Sequence, residues 1–209
     1  MSRLRKVVSL AALVPLALGL VATPAPAAPA TFTHPGVLVS RPQLDFVKAK
    51  VNAGAQPWKA AYDQATGSAY ASLSRTPKPR SIVECGPYSN PNNGCTDERE
   101  DAIAAYTDAL VWYISGDARY AEKAIALMDA WSATITNHTN SNAPLQTGWA
   151  GSSWPKAAEI IKYTYTGTWT NSARFATMLR RDDAVTLLLE DSRSQSAHRF
   201  LVFNEKNCL

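Results

Sequence analysis

The stretch from residue 101 to residue 136 constrains the fold more than any other part of the sequence. Its apolar side chains recur at spacings of three and four residues on both sides of a short joint, SGDARY. Gly116 suits the left-handed conformation that ends many helices, and Asp117 suits the N-cap of the next helix. The apolar positions are Ile103, Tyr106, Leu110 and Tyr113 before the joint, and Tyr120, Ala124, Leu127, Trp131 and Ile135 after it. This pattern predicts an antiparallel helical hairpin.

Helical signals continue on both sides of the hairpin. Asp97 and Glu100 predict a capping box at its start, and Ser40 with Pro42 predicts another helix start. We expect further helices from Arg41 to about Gly54, from Pro57 to Leu73 and from about Ser153 or Pro155, with a long loop at residues 75–96.

No segment shows sustained alternation of apolar and polar residues, so the sequence predicts an all-α protein. The predicted helices are rich in alanine and aromatic residues, which suits closely stacked hairpins. Such hairpins form either a solenoid or a closed (α/α) toroid. Because no fixed repeat period is present, we expect an (α/α) toroid of antiparallel helical hairpins rather than a regular repeat array.

The first 27 residues have the pattern of a secretory signal peptide. Arg3, Arg5 and Lys6 precede an apolar run from Val7 to Val21, and Ala25-Pro26-Ala27 has the small-x-small form of a cleavage site. A membrane anchor is the alternative, but the run is shorter than the roughly 20 residues that span a bilayer. We therefore expect a secreted protein, extracellular or in a periplasmic-type compartment, with no membrane association after signal removal.

Removal of this segment makes the chain nearly neutral. The formal net charge of +4 falls because 18 Lys and Arg then face 17 Asp and Glu. This balance gives no reason to expect nucleic acid or an anionic membrane as a partner. Residues 28–40 would form an N-terminal extension, and residues 41–180 the helical domain.

Cys85 and Cys95 enclose the segment CGPYSNPNNGC, rich in glycine, proline and asparagine. In an oxidising compartment this spacing predicts a disulfide that closes a small loop. Two free thiols are the alternative. A metal site is disfavoured, because no neighbouring histidine or second cysteine pair completes one, so we expect no metal.

Three segments of the chain carry a resemblance: HPGVLVSRPQLDFVKAKVNAGAQPWKAAYDQ (34–64), DAIAAYTDALVWYISGDARYAEKAIALMDAWSATIT (101–136) and LQTGWAGSSWPKAAEIIKYTY (145–165). In this order and spacing they resemble the N-terminal half of secreted alginate-lyase-family proteins of actinobacteria. Since only the N-terminal half of the family is matched, the resemblance implies an incomplete (α/α) toroid built of antiparallel helical hairpins. It also implies an acidic polysaccharide as partner and β-elimination without an obligatory metal or other cofactor. The family's catalytic Asn-His pair and later Arg and Tyr lie beyond the matching region. We therefore assign no catalytic residue, and Asn137-His138 does not receive that role.

The segment NAPLQTGWAGSSW, residues 142–154, is the candidate substrate-binding loop. Trp149 lies between glycines and outside the helical register, so it can stack on a sugar ring or anchor the loop. Asn142 and Gln146 can hydrogen-bond a carboxylate or hydroxyl, or be solvated. Trp154 is in register with the following helix, which favours a core position.

Other polar residues have structural interpretations. His34 fits a packing or turn position. His138 fits the C-terminal end of a helix, where its ring can cap the helix or interact favourably with the helix dipole. Arg174 can neutralise a uronate, but we expect a surface role for it. Glu159 is the one acid that we nominate for a glycoside hydrolase, a reaction that needs two carboxylates.

Residues 181–209 differ from the rest. Ten of the last thirty residues are charged, and Cys208 is left without an expected partner. We expect either a frameshift or truncation of the gene near Arg180, or a natural short form with a charged C-terminal helix.

The leading function is a polysaccharide lyase-like protein that cleaves or, in this short form, only binds uronic-acid polysaccharide. The alternative is a non-catalytic helical module that binds glycans or a protein.

Overall fold

A computed structural model describes residues 32–181 of the chain. The predicted signal peptide and, apart from Arg181, the predicted charged tail lie outside these residues. The helices are α1 (Arg41–Asn52), α2 (Trp58–Thr66), α3 (Cys95–Ser115), α4 (Ala118–Thr134), α5 (Ala143–Gly151), α6 (Trp154–Thr164) and α7 (Ser172–Arg181). The strands are β1 (Ile82–Cys85), β2 (Asn92–Asn93) and β3 (Asn137–Thr139). The mainly helical fold is thus confirmed, whereas closure into a toroid stays a prediction.

The predicted hairpin is present as α3 and α4, which pack against each other along their length. Gly116 has a φ of 76° and its N–H donates to the carbonyl of Trp112, while the Asp117 side chain accepts from the backbone N–H of Arg119. Both caps therefore form as the sequence predicts.

The start of α3 corrects one expectation. The helix begins at Cys95, with Gly94 as N-cap, so Asp97 and Glu100 lie inside it and form no capping box. Their carboxylates instead face basic side chains of the preceding segment: Asp97 faces Arg80 at 3.2 Å, and Glu100 faces Arg75 at 3.4 Å.

A small sheet that the sequence does not predict joins the segment before α3 to the residues that follow α4. β1 is its central strand and pairs antiparallel with β2 and parallel with β3. Strands of two to four residues are too short to show an alternating pattern, which is why we expected a loop here. The Cys85–Cys95 disulfide is confirmed and joins the end of β1 to the start of α3.

A second correction concerns residues 142–154, which the sequence predicts as a loop. Most of this segment is α5, with Pro144 in its first turn. Helix α2 is also shorter than expected, because it ends at Thr66 and is followed by a 3₁₀ turn at Ala69–Ala71.

Aromatic rings fill the core between α4, α6 and α7. Trp154 is fully buried, as predicted, and its ring centroid lies 6.5 Å from that of Trp131 and 5.8 Å from that of Phe175. Trp169 completes the row at 5.5 Å from Phe175. Ring contacts at these distances add to the stabilisation from apolar burial.

The HPG segment, residues 34–36, is fixed to α6 by one buried carboxylate. Glu159 is hydrogen-bonded to His34 Nδ1 at 2.9 Å and accepts the backbone N–H of Gly36 at 3.1 Å. The ring of His34 stacks on Tyr163 at 3.9 Å. A Cβ at Gly36 would lie 2.5 Å from the carbonyl oxygen of Thr33, so only glycine fits. The packing role expected for His34 is confirmed, and Glu159 holds the HPG segment in place.

Asp108 on α3 is a buried carboxylate without a hydrogen-bond partner among the described residues. Loss of hydration raises its pKa to about 7, while the charges of Lys123 and Arg75 oppose the shift. Between pH 4 and 7 the unfolded chain therefore releases this proton before the folded chain does. The stability contributed by the protonated group is complete below about pH 4 and is lost as the pH rises to about 7.

We therefore expect Asp108→Asn to flatten the pH dependence of stability. Between about pH 5 and 7.5, the parent protein should lose about 2 kcal/mol more unfolding free energy than the variant. Urea denaturation at both pH values measures this difference. Asp63→Asn, which changes an exposed carboxyl on α2, is the control and should keep the parent profile. Parallel profiles for the parent and Asp108→Asn would contradict the prediction.

Candidate functional site

The candidate site lies on the outer face of α5. Leu145 and Trp149, four residues apart, point to the same side and are 48% and 44% exposed. A Cβ at Gly148 or Gly151 would meet nothing within 4 Å, so the space beside the indole is open. Helix α5 thus presents a large apolar ring where a ligand can approach it.

A basic side chain from α3 lies over this ring. The Arg99 guanidinium is 4.8 Å from the Trp149 ring centroid, and its Nη2 donates to Thr96 Oγ1 at 3.4 Å. Sequence reasoning missed Arg99, because it is fifty residues from Trp149 and lies in a charged helix start. Together the two side chains offer a flat apolar surface and a cation next to each other.

Gln146 points inward from α5 and is fully buried. Its Nε2 donates to the carbonyl of Cys95 at 3.0 Å and to Glu98 Oε2 at 2.7 Å. The expected contact with substrate is not supported by this position. Gln146 instead fixes α5 against α3, and so determines where Trp149 stands.

Asn142 immediately precedes α5 and is partly exposed. Its Nδ2 donates to the carbonyl of Gly86 at 2.8 Å, and its backbone N–H donates to the carbonyl of Cys85 at 2.9 Å. The structure therefore places Asn142 against the disulfide loop, at the end of α5 that lies away from Trp149. Its role in substrate binding stays a prediction.

A buried polar cluster supports the site from below. Glu98 accepts from Gln146 and lies 2.9 Å from Nε2 of His138, which belongs to β3 and not to a helix end as expected. The side chains of Glu98 and His138 are 1% and 6% exposed. The cluster holds α3, α5 and β3 together but is closed to a polymer.

Arg174 lies on α7, away from this face. Its Nε donates to Ser132 Oγ at 3.3 Å and its Nη2 to the carbonyl of Asp129 at 3.1 Å. These contacts support the surface role that the sequence allows. Within residues 32–181, no group of three or more His, Cys, Asp or Glu side chains is arranged to hold a metal ion. In the same range, no helix is long and apolar enough to cross a bilayer.

The chain matches a known protein family. The family model described as alginate lyase matches residues 49–193. This range contains α2 to α7 with the disulfide, the buried cluster and Trp149. No curated protein and no solved structure matches the chain.

Proposed function

Since this chain belongs to the alginate lyase family, we propose that it is a secreted, polysaccharide lyase-like protein that binds uronic-acid polysaccharide such as alginate. The family match over residues 49–193 is the observation that carries this proposal. The exposed Trp149 with Arg99 beside it adds a surface of suitable chemistry. The Cys85–Cys95 disulfide is consistent with an oxidising compartment.

Cleavage by such a protein would be a β-elimination. A base removes the proton at C5, the C4–O4 bond breaks, a C4–C5 double bond forms and O4 takes up a proton. A neighbouring cation or amide must neutralise the carboxylate, since otherwise the C5 proton is only weakly acidic. Arg99 can supply the positive charge. Among residues 32–181 we assign no base, so the residues that we name serve binding.

Incubation of the purified protein with alginate and other polyuronates tests the proposal. A rise in ultraviolet absorbance reports the unsaturated product of a lyase. Binding without such a rise indicates the alternative, a non-catalytic module. New reducing ends without absorbance indicate a hydrolase, and the absence of all three signals would refute the proposed function.

Trp149 should matter for binding and little for folding. We expect Trp149→Ala to raise the Kd for alginate oligosaccharides about tenfold, because a ring that stacks on sugar is lost. The control is Leu145→Ala, which removes an equally exposed apolar side chain from the same face of α5. Isothermal titration gives the Kd, and circular dichroism confirms the fold. If Trp149→Ala unfolds the protein, Trp149 belongs to the core.

A further inference from the structure

Two pairs of an aromatic ring and a cation lie along α3. In the first, Arg99 stands over Trp149 of α5. In the second, Nζ of Lys156, in the first turn of α6, lies 5.5 Å from the ring centroid of Tyr106. Each pair therefore combines one side chain of α3 with one from a helix packed beside it.

The helical register puts the α3 members of both pairs on one face. Arg99 and Tyr106 are seven residues apart, which is two turns and about 10.5 Å along the helix axis. Ile103, which is 39% exposed, lies between them on the same face. We call this surface the α3 strip; it consists of Arg99, Ile103, Tyr106, Trp149 and Lys156. Its length suits an oligosaccharide better than a single sugar.

The two cations of the α3 strip have no carboxylate partner in the described part of the chain. Elsewhere, basic side chains such as Lys59, Arg75 and Arg119 pair with acids at 2.6 to 2.8 Å. The positive charge of the α3 strip is therefore available to an acidic ligand. Of the two rings, Trp149 is exposed and Tyr106 is half-buried. A cation over an aromatic ring is held more weakly than one that donates to a carboxylate, so replacing the ring contact with a carboxylate contact is favourable.

We propose that the α3 strip binds a linear polyuronate across at least two sugar residues. Arg99 and Lys156 turn from the rings to the carboxylates of the ligand, and Trp149 and Tyr106 then face its sugar rings. This assignment rests on the proposed function, for which it names the residues that bind the ligand and the class of ligand. A neutral glycan satisfies the rings only, and should bind much more weakly.

The test compares two double variants by isothermal titration with alginate oligosaccharides at fixed salt. Arg99→Gln with Lys156→Gln removes the cations of the α3 strip and should raise the Kd at least about tenfold. The control is Lys48→Gln with Lys50→Gln on α1. These lysines also lie over rings, Lys48 at 5.6 Å from Tyr113 and Lys50 at 5.3 Å from Phe46. This control variant removes the same amount of charge from similar ring–cation pairs, and should change the Kd less than about twofold.

A charge-retaining pair, Arg99→Lys with Lys156→Arg, should bind within a few-fold of the parent, which separates loss of charge from loss of fold. An equal loss of affinity in both charge-removing variants would attribute binding to the overall charge and would overturn the assignment to the α3 strip. If the parent binds or cleaves polyuronate and neither charge-removing variant binds it more weakly, the assignment of binding to the α3 strip is wrong while the proposed function stands. If the parent neither binds nor cleaves it, both are overturned.

Discussion

Replacement of Asp101 with alanine should lower the free energy of unfolding by about 3–5 kcal/mol, because it leaves buried donors without an acceptor. The Asp101 carboxylate is fully buried in α3. It accepts from Arg75 Nε at 2.8 Å, from Trp131 Nε1 at 2.8 Å and from the backbone N–H of Lys78 at 2.9 Å. One side chain thus joins α3 to α4 and to the segment before β1.

The neighbouring Glu100 provides a matched control. Its carboxylate faces the same Arg75 at 3.4 Å, but its side chain is 40% exposed. Glu100→Ala should therefore cost less than about 1 kcal/mol. Urea denaturation of both variants at neutral pH measures the two costs, and similar values would show that burial of Asp101 is not the source of its contribution.

Replacement of Glu98 with alanine should cost about 3 kcal/mol, because two charge-assisted contacts are lost inside the protein. Gln146 and His138 would both lose their partner, and they belong to α5 and β3. We also expect weaker binding of polyuronate, since Gln146 is what fixes the helix that carries Trp149.

Asp97→Ala is the control for Glu98, one residue away on α3. Asp97 faces Arg80 and Lys78 at 3.2 and 3.5 Å near the surface, so its loss should cost less than about 1 kcal/mol and leave binding unchanged. Denaturation and titration on the same samples supply both measurements. Full retention of binding by a destabilised Glu98→Ala would separate the buried cluster from the site.

Local signals account for the parts of the fold that the sequence predicts correctly. Gly116 and Asp117 determine the joint of the hairpin through backbone conformation and a side-chain cap, which depend on adjacent residues only. The disulfide between Cys85 and Cys95 follows from a short spacing and the expected compartment. Trp154 is recognisable as core because it shares the register of the helix that it begins.

Tertiary contacts account for the parts that the sequence does not predict. Gly148 and Gly151 favour a loop by intrinsic propensity. The segment is nevertheless helical, because buried Gln146 bonds to Cys95 and Glu98, about fifty residues earlier in the chain. The same separation hides Arg99: its own neighbours indicate a charged helix start, and only the folded chain brings it to Trp149.

The attachment of the HPG segment to Glu159 also bears on the order of events during synthesis. His34 and Glu159 are 125 residues apart in sequence. While a ribosome makes the chain from its N-terminus, His34 and Gly36 emerge long before their acceptor exists. The α3–α4 hairpin, in contrast, has its partners close in sequence and can form early. The HPG segment must therefore wait until α6 has left the ribosome, and its docking belongs to the last steps of folding.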